Sequence, residues 1–169
     1  QDSIQSIMER GLELHDQGKY ELSLIEYKKA LKLEPKNAFV NYETALSYYH
    51  LGNKSEAMTH AKIGSAEKSE NGMQSVILMG AIYDESGKPK KSIKIYKKAM
   101  EDYGDYYLLW FNLGVTANGM QDYKLASEAF QNSVKNRLDH TNSHYALSSA
   151  MQLQGKRIEA MIPLYFFLM

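Results

Sequence analysis

The chain has 169 residues, 44% hydrophobic and 24% charged, with 20 Lys plus Arg against 20 Asp plus Glu. That apolar share is enough for a core and excludes a disordered chain, and the charge balance gives no whole-chain support for nucleic acid or an anionic membrane as partner. Cys is absent, which removes disulfides, thiolate metal sites and Cys nucleophiles, and no apolar stretch reaches the roughly 20 residues of a membrane span.

Tyr occurs 13 times and outnumbers Phe and Trp together, which suits surfaces that must be both wet and sticky. The start at Gln1 rather than Met, with the lack of Cys, leans toward an exported, periplasmic or secreted, chain.

Taken in chain order, turn-like pairs stand at Gly18-Lys19, Gly52-Asn53, Gly87-Lys88 and Gly155-Lys156, and the same period places the missing turn on Gln121. Seven positions before each turn come Gly11, Ala45, Gly80, Gly114 and Ser148. Five after it come Ser23, Ala57, Ser92, Ala126 and Ala160. Both columns are small in all five units. Nine after the turn stand Tyr27, Ala61, Tyr96, Phe130 and Leu164. Spacings of 3 and 4, as in Leu24, Tyr27 and Leu31 or Trp110, Leu113 and Ala117, put apolar residues on one helical face. Each unit therefore reads as helix, tight turn, helix, over 4–37, 38–72, 73–106, 107–140 and an incomplete 141–169. Small residues where helices cross let the axes approach to roughly 8–10 Å. Asn37, Asn53, Asp105 and Thr141 are the expected N-caps, Pro35 follows a helix end, and Pro89 opens a helix.

These residues resemble the tetratricopeptide repeat. The fourth unit supplies Trp110, Leu113, Gly114, Tyr123, Ala126 and Phe130, with Ala117 in place of the first Tyr of the motif. The first supplies Gly11, Leu14, Tyr20, Tyr27, Ala30 and Pro35, with Ile7 and Arg10 at its opening. The resemblance covers residues 4–169 and implies an all-α fold, a right-handed α-solenoid of about five helix-turn-helix repeats. It also implies a concave groove lined by the first helices that takes a peptide or a partner protein.

A second stripe on the first helices gives the candidate groove: Met8, Leu12, Tyr42, Leu46, Tyr49, Ile77, Phe111, Val115 and Tyr145. One reading buries this stripe against neighbouring helices; the other makes it an aromatic-lined, apolar site. Co-chaperones of the family clamp acidic C-termini with Lys, Arg and Asn at these slots. The first three units carry Met8, Leu12, Tyr42, Leu46, Ile77 and Ala81 there, so an apolar ligand is expected instead. Within "WFNLG", Trp110 and Leu113 are expected to face the core and Phe111 the groove.

Other signals point away from catalysis. "KPKKSIKIYKK" places Lys88, Lys90, Lys91, Lys94, Lys97 and Lys98 outward, with Ile93, Tyr96 and Met100 as the buried stripe. It reads as a solvated outer face, or else as a patch for an anionic partner. His140 and His144 read as packed side chains rather than a metal pair, and no phosphate loop or nucleophile triad is assigned. The chain is read as a non-catalytic scaffold with no cofactor and no metal. The end, "AMIPLYFFLM", is apolar nearly all round, so Leu164, Phe166 and Phe167 form a candidate contact edge for further repeats or a homo-oligomer. The alternatives are a self-assembly element using that edge and a non-catalytic accessory part of a larger enzyme or export complex.

Overall fold

A computed structural model describes residues 3–156 and 159–163; Leu164, Phe166 and Phe167, with the contact edge they were expected to form, lie outside the described residues. Among the described residues there are nine whole helices, a further helical stretch at 161–163, and no strand. They run α1 (Ile4–Asp16), α2 (Tyr20–Leu33), α3 (Ala38–His50), α4 (Lys54–Gly64), α5 (Glu70–Glu85), α6 (Pro89–Tyr103), α7 (Tyr107–Gly119), α8 (Tyr123–Asn136) and α9 (Thr141–Leu153). The chain divides into two compact units, residues 1–82 and 83–169, with the division inside α5.

The turns follow from backbone chemistry. Gly18, Gly52, Gly87 and Gly155 all have φ between 69° and 80°, the left-handed region that a Cβ disfavours. Gln121 takes the same role at φ 63° and is the only described non-glycine residue with positive φ. The period that pointed to Gln121 thus located a strained position. Gln121→Gly is expected to raise stability by about 0.5–1 kcal/mol, because relief of left-handed strain outweighs the added freedom of the unfolded chain. Urea melts of the two proteins check this, and a lower midpoint for the glycine variant would contradict it.

The caps divide. Asn37 accepts from the Val40 N–H and Asn53 from the Glu56 N–H, as expected. Asp105 and Thr141 do not cap. Tyr106 holds the cap position of α7, and the Asp105 carboxylate instead accepts from the Trp110 indole at 3.2 Å. Thr141 is already the first helical residue, with His140 at the cap position. α5 begins at Glu70, ahead of the expected boundary at 73, because the Ser69 hydroxyl accepts from the Gly72 N–H. Pro89 opens α6, where its missing N–H removes no helical bond.

The small and large columns are packing partners. An added Cβ on Gly114 would stand 2.6 Å from Phe130 Cε1, and one on Gly11 would stand 2.7 Å from Tyr27 Cδ1. Tyr27 and Phe130 therefore each pack directly against the first-helix glycine of their own hairpin. At the equivalent slots the second repeat has Ala45 and Ala61, both fully buried. In unit 1, Ile7, Tyr27, Ala30 and Val40 form a core cluster. In unit 2, Ala117, Ala126, Phe130, Leu147 and Ala150 do so.

One buried column escaped the sequence pattern. Twelve positions before the turn, Val40, Ser75, Leu109 and Ser143 are all fully buried. In α7 the buried face is thus carried by Leu109 and Leu113, while Trp110, one residue further round, is only half-buried. Trp110 was expected in the core; its indole N–H reaches the exposed Asp105 carboxylate instead, which holds the ring at the edge.

Candidate functional site

In unit 1 the expected groove residues come from α1 (Met8, Leu12), α3 (Tyr42, Leu46, Tyr49) and α5 (Ile77), and all six are half-buried. Their neighbours one position before the leading slot, Ile7, Asn41 and Val76, are buried. In unit 2, Val115 on α7 is 47% exposed and Tyr145 on α9 is 54% exposed, whereas His144 beside Tyr145 is buried. The helices are therefore apolar on a face that their core contacts leave accessible. Two residues lean inward. Met8 packs on the unit 1 cluster. Phe111 packs on the unit 2 cluster, its ring 5.7 Å from Phe130 and 5.1 Å edge-on from His140.

Beside these faces lie polar clusters that the periodicity did not single out. In unit 1, His15 Nδ1 is 2.9 Å from Ser47 Oγ, which is 3.0 Å from Ser23 Oγ. In unit 2, the Thr116 hydroxyl donates to Asp84 Oδ2 at 2.5 Å and lies 3.3 Å from Ser92 Oγ. Ser92 also donates to that carboxylate oxygen at 3.1 Å. The sequence separations are identical in the two clusters, 32 and 24 residues. The same three slots therefore tie one hairpin to the first helix of the next in each unit. The available signal was two Ser residues in a column otherwise filled by Ala, since a buried hydroxyl needs a partner.

The unit 1 cluster extends into charge and aromatic rings. Glu43 Oε2 is 3.9 Å from His15 Nδ1, and Glu43 is buried. Burial, reinforced by Asp16, pushes the Glu43 carboxyl up to about 7, with Tyr27 pulling the other way. Burial and the nearby His50 hold His15 below its usual value. Tyr20 stacks on His50 at 4.6 Å, and both meet the His15 ring edge-on. Burial and Glu43 push Tyr42 up to about 12. Both shifts favour the uncharged forms of Glu43 and His15, in keeping with their burial.

In unit 2 the His pair is structural. His144 is buried, with Nε2 2.7 Å from the Leu138 carbonyl and Nδ1 3.0 Å from the Pro163 carbonyl. His140 Nδ1 lies 2.6 Å from Ser143 Oγ. No group of three or more His, Asp or Glu among the described residues is placed to hold a metal ion. A pocket of about 560 Å³ opens beside α8 and α9, with Val134, Leu138, Leu147, Met151 and Ile162 among its walls. No helix among the described residues is long and apolar enough to cross a membrane.

Comparison with known proteins bears on what these faces are for. Residues 11–52 match a family described as TPR repeat, and residues 74–101 match one described as Tetratricopeptide repeat. The chain carries tetratricopeptide repeats. No curated protein matches the chain in sequence. Among solved structures, PilF of Pseudomonas aeruginosa superposes with a TM-score of 0.83 at 17% identity, covering 98% of this chain and 75% of that one. MamA from Desulfovibrio magneticus gives 0.76 at 15% identity, covering 99% and 94%. YrrB, described as a TPR protein with an unusual peptide-binding site, gives 0.65 at 18% identity, covering 96% and 84%. These likenesses show the fold, an all-α helical-repeat solenoid. Tetratricopeptide arrays are protein-interaction modules, and the chain is a protein-interaction scaffold.

Proposed function

We propose that the chain captures an apolar peptide segment or partner helix on the first-helix faces of its units, Met8, Leu12, Tyr42, Leu46, Tyr49 and Ile77 in unit 1 and Phe111, Val115 and Tyr145 in unit 2. One observation carries the reading. Every one of these residues keeps solvent exposure, while the slot one position before the leading residue is buried in four of the five repeats. Large apolar side chains left open along one face of a repeat array offer the aromatic anchors that peptide binding needs. The missing Lys, Arg and Asn at the clamp slots favour an apolar ligand over an acidic C-terminus. The description of YrrB as a peptide-binding protein of this fold is in keeping with this. The chain binds and presents its partner, and carries no catalytic step.

The cleanest test avoids Phe111, whose truncation would also open the core beside Phe130. Tyr145→Ala with Val115→Ala truncates two side chains that are 54% and 47% exposed and stand outside the core cluster of unit 2. Peptides selected from a random display library on the wild-type chain are expected to bind the double variant at least about tenfold more weakly, as loss of a Tyr anchor implies. The melting temperature should stay nearly unchanged. Selected peptides that bind both proteins alike would refute the site.

A further inference from the structure

Two helix faces carry unneutralised charge of opposite sign in the same spacing. On α1, Glu9, Glu13 and Asp16 are all exposed and follow one another at i, i+4 and i+7. On α6, Lys90, Lys94 and Lys97 are exposed at the same i, i+4 and i+7, with Lys98 beside them. None of these seven side chains forms an ion pair among the described residues. Glu9 and Glu13 accept only from the neutral amides of Gln5 and Gln17. Ile93 is half-buried among the lysines and floors a shallow depression that Lys90, Lys94, Lys97, Lys98 and Glu101 rim.

Both stripes work against the helix that carries them. Like charges three or four residues apart repel along each face. Glu13 and Asp16 also stand at the negative end of the α1 dipole, and Lys90 and Lys91 stand at the positive end of α6, which has no acidic residue in its first turn. The basic residue in the last turn of α1 is His15, which burial holds below its usual pKa. α2 and α4 show the ordinary arrangement, with Glu21 and Glu56 first and Lys32 and Lys62 last. A sequence that breaks both rules twice, in complementary senses, is relieved by bringing the two faces together.

We propose that α1 of one copy docks antiparallel on α6 of a second copy, with Asp16 beside Lys90, Glu13 beside Lys94 and Glu9 beside Lys97 and Lys98. Both stripes span seven residues, about 10.5 Å of helix, so the charges stay in register. The antiparallel direction sets each helix dipole against the opposite end of its neighbour. It also brings Glu101 opposite the neutral Gln5, while Arg10 keeps its own partner in Glu26. The two copies contribute different surfaces, which makes the contact heterologous and able to propagate from copy to copy. Exposed pairs give weak, salt-sensitive association rather than a permanent complex.

The test uses the full chain in sedimentation equilibrium at roughly 50 mM and 500 mM salt, spanning the range over which screening becomes strong. Association at the lower salt should weaken more than tenfold at the higher. One charge-swapped chain carries Glu9→Lys with Glu13→Lys, and a second carries Lys94→Glu with Lys97→Glu. Circular dichroism confirms that each folds, since all four sites are exposed. Each alone should be monomeric at low salt, and an equimolar mixture should associate again, because each now offers the face the other lacks. A monomeric wild type, a swapped chain that still self-associates, or a mixture that stays monomeric would each overturn the proposal.

Discussion

Replacing Gly114 by alanine is expected to destabilise unit 2 by about 2–3 kcal/mol, the upper part of the range for one extra methyl in a tight core. The new Cβ would lie 2.6 Å from Cε1, 2.7 Å from Cδ1 and 3.0 Å from Cζ of Phe130. The ring cannot tilt away, because it sits in the cluster of Ala117, Ala126, Leu147 and Ala150 with Phe111 against it. Phe130→Ala alone should cost about 3–5 kcal/mol as a cavity. The double variant should cost no more than Phe130→Ala, since the second repeat already carries alanine at both equivalent slots, Ala45 and Ala61. The cycle then shows a coupling of about 2 kcal/mol in denaturant melts. Simple additivity of the two losses would mean that the glycine is not there for the ring.

The second large effect is a pH dependence centred on Glu43. Its carboxyl titrates at about 7 in the folded chain against 4.5 when free, because burial and Asp16 oppose ionisation. The folded state therefore holds a proton that the unfolded state has released between those values. The stability this contributes is fully present below about pH 4.5 and is lost as pH rises through 7. Glu43→Gln removes the ionisable group at nearly constant shape. The variant should match the wild type near pH 4.5 and be more stable by about 3 kcal/mol at pH 8.5, since each pH unit between the two titration points is worth about 1.36 kcal/mol. His15 works in the opposite sense. Its folded value is depressed, so its contribution is present above 6.5 and lost as pH falls. His15 remains in both proteins, so the difference between them reports Glu43 together with its 3.9 Å contact to His15. A difference that does not change between pH 4.5 and 8.5 would show that Glu43 is not held neutral by the fold.

The polar clusters show why part of the candidate site could not be read beforehand. Ser23 and Ser92 looked like two more small residues in a packing column. In the folded chain they are hydrogen-bonded members of joints that include His15 and Ser47 in unit 1, and Asp84 and Thr116 in unit 2. Phe111 looked free to face a ligand because it is one residue beyond the motif position of Trp110. Yet the buried face of α7 is set by Leu109 and Leu113, so Trp110 rotates to the edge and Phe111 leans on Phe130. An error of one residue on a helix is about 100° of rotation, enough to exchange core for surface.

What the sequence determined by itself is whatever depends on short-range geometry. The turn at each period, including the left-handed Gln121, the helix after Pro89, the caps at Asn37 and Asn53, and the glycine-aromatic pairs inside a hairpin all follow from local backbone preferences and a repeated spacing. What only the tertiary structure decided is how each hairpin meets the next: the burial of Glu43, the neutral His15, the Asp84 cluster and the exposure of Val115 and Tyr145. The physical reason is that desolvation and hydrogen-bond pairing are set by residues 24 to 32 positions away, which no single helix period encodes.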